Sequence, residues 1–114
     1  MDKGFTRNAI IKSARLSTED YGVLTAWLDL DYGGGGQGFG GYNLYNPGAG
    51  NRVSRNYAGH FIYRCLEIAG VDRWDQLPGK TIRVNLDQDG LGGLIQGIGH
   101  IVEDKWFFPK RELA

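Results

Sequence analysis

The sequence predicts an α+β fold: an antiparallel β-sheet with one main helix packed on one face, plus a short helical turn. Three observations carry this. The segments GVLTAWLDLDY (22–32) and KTIRVNL (80–86) alternate in character with a period of two, as half-buried strands do. Across SRNYAGHFIYRCLEIAG (54–70) the apolar residues recur instead at helical spacing. The strand patterns stand on both sides of this helix and mostly follow one another in sequence, which favours an antiparallel sheet in a two-layer sandwich.

Taken in order, AIIKSARLS (9–17) reads as a first strand from its partial alternation and two β-branched isoleucines, and STEDYG (17–22) as a turn. The strand over 22–32 places Leu24, Ala26, Leu28 and Leu30 on its inner face. After a glycine run, FGGYNLYN (39–46) returns as a third strand, and NPGAGNRV (46–53) is loop by its Pro and Gly content. Ser54 is placed to cap the helix and Gly70 to stop it. Phe61, Ile62, Cys65 and Leu66 would then face the sheet, with Asn56, His60, Arg64 and Glu67 on the exposed side. VDRWDQLPG (71–79) reads as the short helical turn. Residues 80–86 and 94–102 form the last strands, joined by the turn DQDGLGG (87–93).

A chain of 114 residues, without internal repeat or linker, makes one domain with one modest core. Thirteen Lys and Arg balance thirteen Asp and Glu, so no global field attracts a polymeric nucleic acid. An anionic partner would have to be small and locally held. The lone Cys65 excludes an internal disulfide and suits a reducing compartment. The N-terminal segment lacks the apolar core of a signal peptide and no run reaches membrane-spanning length, so a cytoplasmic location without membrane contact is expected.

Seven of the nine residues from Gly33 to Gly41 are glycine, and Gly36 to Gly41 satisfy G-x-G-x-x-G. A dinucleotide loop needs a helix opening at the third glycine. Here Tyr-Asn-Leu-Tyr-Asn-Pro follows, so that match is accidental. A turn uses two or three glycines. Each additional one costs roughly 0.5–1 kcal/mol in a strand interior, so the excess implies that a ligand or a neighbouring subunit lies against the backbone. Tyr32, Phe39, Tyr42, Tyr45, Trp106, Phe107 and Phe108 exceed what one small sheet face can bury, and core packing accounts for about half of them. The remaining rings, with arginines nearby, are the chemistry for a purine and a phosphate.

Catalytic and metal signals are thin. His60, His100 and one Cys lack metal-ligand spacing. Asp29 and Asp31 share one strand face, but two solvent-facing carboxylates need no special explanation. No catalytic residue, metal site or cofactor is therefore expected. The expected ligand contacts are Tyr32, Gln37, Phe39, Tyr42, Arg55, His60, Arg64, Arg83, Trp106 and Arg111.

The segments LTAWLDLDYGGGGQGFGGYNL, AGHFIYRCLEIAGVDRWDQLPGKTIRV and IGHIVEDKWFFPK, which together span most of the chain, resemble a group of short bacteriophage proteins. That group includes the first type of Thoeris anti-defence proteins. The resemblance implies a non-catalytic sponge that sequesters a cyclic ADP-ribose isomer in the infected host's cytoplasm, starving a TIR-type defence of its signal. It further implies a dimer, a hexamer built from it, and a second class of site for cyclic trinucleotides. Two alternatives from other classes stand beside it: a small nucleotide-processing enzyme with His60 or His100 as base, and a phage protein that binds a host protein through its aromatic tail.

Overall fold

The computed structural model describes residues 5–46, 56–90 and 92–113. Six strands form one antiparallel sheet: β1 (Phe5–Asp20), β2 (Val23–Asp31), β3 (Gly36–Gly40), β4 (Thr81–Leu86), β5 (Ile95–Gly99) and β6 (Trp106–Phe107). Their order is β3-β2-β1-β4-β5-β6, so the long β1 lies between two meanders. The main helix, α1 (Tyr57–Ala69), connects them, and a short helix, α2 (Pro109–Glu112), follows β6. The fold class is the one the sequence predicts.

The period-two reading of β2 holds from Ala26 to Leu30, while Leu24 is only half-buried and Thr25, on the other face, is buried as well. Ala26, Leu28 and Leu30 are buried and pair in register with Leu16, Ala14 and Ile11 of β1. The inner face continues through Ile82, Val84 and Leu86 on β4, Ile98 on β5 and Phe107 on β6. α1 lays Phe61, Cys65, Ile68 and Ala69 on this face, while the expected Ile62 and Leu66 are only half-buried. Phe61 sits between Phe39 (centroids 6.0 Å apart) and Phe107 (5.5 Å), and so locks the helix to both edges of the sheet. Burial pushes the Cys65 thiol up to about 12, with the neighbouring Arg64 charge opposing the shift; this cysteine is a packed core residue.

Several boundaries differ from expectation. β1 runs to Asp20, leaving Tyr21 and Gly22 as a two-residue turn with φ of 55° and 78°, the positive pair that suits the twist of a hairpin. α1 begins at Tyr57, where Asn56 caps it by accepting a hydrogen bond from the Gly59 amide at 2.7 Å; Ser54 lies outside the described residues. Gly70 closes α1 in the left-handed conformation, as expected. The helical turn of 71–79 is a 3-10 turn at Trp74–Gln76, capped by Gln76 Oε1 accepting from the Asp72 and Arg73 amides. The strand expected over 94–102 ends at Gly99 as β5, and the tail adds an unexpected strand, β6, since the main chain bends at 100–105 and returns alongside β5.

The largest correction concerns the third strand. It spans 36–40 rather than 39–46, so much of the glycine run is itself sheet, and 41–46 stays beside β2 through the Leu24–Tyr45 bridge and single bonds from the Gly41 and Leu44 amides to the Ala26 and Leu24 carbonyls. The rings against this backbone belong to the chain. A Cβ on Gly38 or Gly41 would stand 3.0 or 2.2 Å from the Trp27 indole, which lies across β3 on the outer face. At the other edge, a Cβ on Gly97 or Gly99 would meet Phe108 or Trp106 at 2.6 Å. At these four positions glycine makes room for an intramolecular aromatic, and no ligand is needed to explain it.

Candidate functional site

A groove of about 510 Å³ opens among the described residues where the N-terminal half of α1 meets α2. Asn56, Tyr57, His60 and Tyr63 line one wall and Glu112 and Leu113 the other. Successive steps of four and three residues bring Asn56, His60 and Tyr63 to one helix face. Tyr63 is 66% exposed, so its ring is open to solvent beside the groove. Pro109 at the first position of α2 starts the turn that carries Glu112 back to the helix.

Electrostatically, the groove rests on one carboxylate. Glu112 accepts from His60 Nε2 at 2.8 Å and from Arg64 Nε at 3.0 Å. Burial alone would raise its pKa, but the bonds from Arg64 and His60 overcome this and hold the carboxyl below the usual range. Arg64 also bonds Glu67 and the Trp106 carbonyl, and its guanidinium lies 5.5 Å from the Phe107 ring centroid. The expected exposed cation is therefore a hub joining α1, β6 and α2. His60 meets the ionised carboxylate through Nε2, which therefore donates, and its Nδ1 has no bond among the described residues.

The other expected contacts scatter. Gln37 is fully occupied: its amide donates to the Gly93 carbonyl at 2.9 Å and accepts from the Ile95 amide at 2.8 Å. These are the bonds a neighbouring strand would make, and they tie β3 to the start of β5 across the mouth of the curled sheet. Tyr32 is buried beside it, its hydroxyl taking a bond from Gln37. Phe39 belongs to the core and Tyr42 packs 6.1 Å from Phe61, where burial raises its phenol pKa. Neither Phe39 nor Tyr32 offers an open ring face to a purine. Arg83, Trp106 and Arg111 do come together, on the outer face of β5. Arg83 lies 4.9 Å from the Trp106 centroid, Trp106 stacks on Phe108, and Arg111 lies 4.4 Å from Phe108. Arg83 also donates to the His100 and Glu103 carbonyls. This is a flat ladder of rings and cations, mutually satisfied, rather than a pocket. Arg55 lies outside the described residues.

Of the expected set, His60 lines the groove and Arg64 braces it from behind. Asn56, Tyr57, Tyr63, Glu112 and Leu113 were missed. The spacing of Asn56, His60 and Tyr63 was a legible signal for the helical wall, whereas Glu112 stands 52 positions from His60 and had none. Among the described residues no cluster of three or more His, Cys, Asp or Glu could hold a metal ion, and no helix is long and apolar enough to cross a membrane. No protein-family model matches the chain, and no curated protein or solved structure matches it.

Proposed function

We propose that this protein is a non-catalytic phage sponge that holds a small cyclic nucleotide, a cyclic ADP-ribose isomer above all, and so silences a TIR-type defence in the host cytoplasm. The observation that carries the binding is the groove. Its volume lies in the range of small-molecule sites, roughly 300–1,000 Å³, and it is walled by the rings of Tyr57, His60 and Tyr63. Base stacking on such rings contributes about 1–3 kcal/mol each. The His60 Nδ1 and the Asn56 amide supply polar contacts of the kind that orient a base and ribose. The groove suits the base and ribose better than the pyrophosphate, because the guanidinium behind it, Arg64, is committed to two carboxylates. The identity of the ligand rests on the resemblance of the three sequence segments. A homo-oligomer, dimeric or hexameric, is part of the same proposal; light scattering that gives a monomer mass at micromolar concentration would remove it.

Native mass spectrometry of the protein expressed in a signal-producing host tests the function. A sponge carries the nucleotide through purification and releases it unchanged on denaturation. A protein that stays empty in that host contradicts the proposal. The His60–Glu112 pair is also the form a general base and its orienting carboxylate take, which favours a nucleotide-processing enzyme as the second reading. Recovery of a converted nucleotide would establish that reading instead.

A further inference from the structure

A second cavity, of about 410 Å³, lies at the far end of α1 from the groove, between the helix C-terminus and the start of β4. Gly70, Gly79, Lys80, Thr81 and His100 are part of its lining, and among the described residues no carboxylate is. The orientation of His100 is fixed. Its Nδ1 accepts from the Val102 amide at 3.1 Å and the Glu103 amide at 2.9 Å, so the proton of the neutral ring sits on Nε2. That nitrogen faces Gly70, only 3.9 Å from where a Cβ there would stand. Neither His100 Nε2, the Lys80 ammonium nor the Thr81 hydroxyl has a partner among the described residues. Two of these donors, the charged Lys80 and the His100 ring, stand on the helix side of the sheet beside this one small polar space, while Thr81, next to inward-facing Ile82, presents its backbone there.

The surroundings weaken the usual objections to an anion there. A helix C-terminus repels negative charge through its open carbonyls. Here the Gly70 amide bonds the Leu66 and Glu67 carbonyls and the Val71 amide bonds Leu66 again, so the end of α1 is capped. Glu103, the carboxylate whose charge His100 influences, is paired with Lys105 at 3.1 Å. We propose that this cavity is a second, independent binding site, for an oxyanion: the phosphate or carboxylate of a small molecule, held by Lys80 Nζ and His100 Nε2–H. It is separate in space and chemistry from the ring-walled groove and does not depend on what the groove binds.

Amide and imidazole NMR of the full chain, titrated with inorganic phosphate at constant ionic strength, tests the site. Saturable shifts at Gly70, Gly79, Thr81 and the His100 ring are expected, with chloride as the control anion producing none. Lys80→Gln should weaken phosphate binding about tenfold, the loss of one charge-assisted contact. Tyr63→Ala, in the other cavity, should leave it unchanged. Repeating the titration with acetate and with adenosine monophosphate separates the sources: tighter binding of the nucleotide than of phosphate assigns the site to a phosphorylated metabolite, and tighter binding of acetate assigns it to a carboxylate. Shifts that remain linear in phosphate, or an identical affinity in the folded Lys80→Gln variant, would overturn the proposal. Neither result would touch the groove, whose own test is the carriage of nucleotide.

Discussion

Gly99→Ala adds one carbon where Trp106 already lies. That Cβ would stand 2.6 Å from Cε3 and 2.7 Å from Cδ2 of the indole, roughly 1 Å inside ordinary contact. The ring has little freedom to retreat, because Nε1 is bonded to Asp104 at 3.0 Å, Phe108 stacks beside it and Arg83 faces it. Overpacking of this kind costs about 1–3 kcal/mol, and displacement from Arg83 adds about 0.5–1 kcal/mol. Gly99 does not sit at positive φ, so the alanine backbone is unstrained and a gain of about 0.4–1 kcal/mol from the less flexible unfolded chain offsets part of this. The net expectation is a loss of about 1–3 kcal/mol in urea unfolding. Trp106→Ala removes the obstacle, so in that background Gly99→Ala should be neutral or stabilising, giving a coupling of about 1.5–3 kcal/mol. Equal costs in the two backgrounds would refute the claim that these glycines exist to seat the chain's own rings.

Gln37→Glu keeps the shape of the side chain but loses the donor to the Gly93 carbonyl and sets a charge against it. A loss of about 1–3 kcal/mol is expected, together with faster amide exchange at Ile95; unchanged exchange would mean that Gln37 does not hold the two sheet edges together. Phe61→Ala deletes a fully buried ring that touches both edges and should cost about 3–5 kcal/mol, whereas a loss under about 1 kcal/mol would place α1 elsewhere. Arg64→Met should cost about 2–3 kcal/mol by leaving Glu67 and Glu112 without their guanidinium. It also changes the acid response. A carboxyl held below its unfolded pKa, near 4.3, contributes stability above that pH and loses it as pH falls through the folded value. Urea midpoints of the wild type should therefore fall more steeply below about pH 4.5 than those of Arg64→Met, and parallel profiles would contradict the network.

Much of this architecture was legible because periodicity reports burial directly. The alternation of β2 and the stripe through Phe61 and Cys65 each named the buried face before any partner was known, and Gly70 marked the end of α1. The glycine run misled for a physical reason. Glycine content signals that something approaches the backbone but carries no record of what, and Trp27 is remote in sequence from Gly38 and Gly41, adjacent only through strand pairing. Arg64 shows a similar limit. Its place among Asn56, His60 and Glu67 gave it an outward face, yet a turn of four residues after β6 folds Glu112 over it. Gln37 was expected to contact a ligand; that its amide would instead stand in for a strand required the curl of the whole sheet. The groove was half visible in the spacing of Asn56, His60 and Tyr63, and its second wall was not visible at all.

The most direct test of the functional account is a calorimetric titration of the wild type and of Tyr63→Ala with cyclic ADP-ribose isomers, with the ligand recovered afterwards. Tyr63 is exposed and outside the core, so the variant should fold normally and report only on the groove. The account predicts saturable binding, a loss of roughly 5- to 100-fold in affinity for Tyr63→Ala from about 1–3 kcal/mol of stacking, and intact ligand at the end. Absence of binding by the wild type, or an affinity that the loss of Tyr63 leaves unchanged, would contradict it.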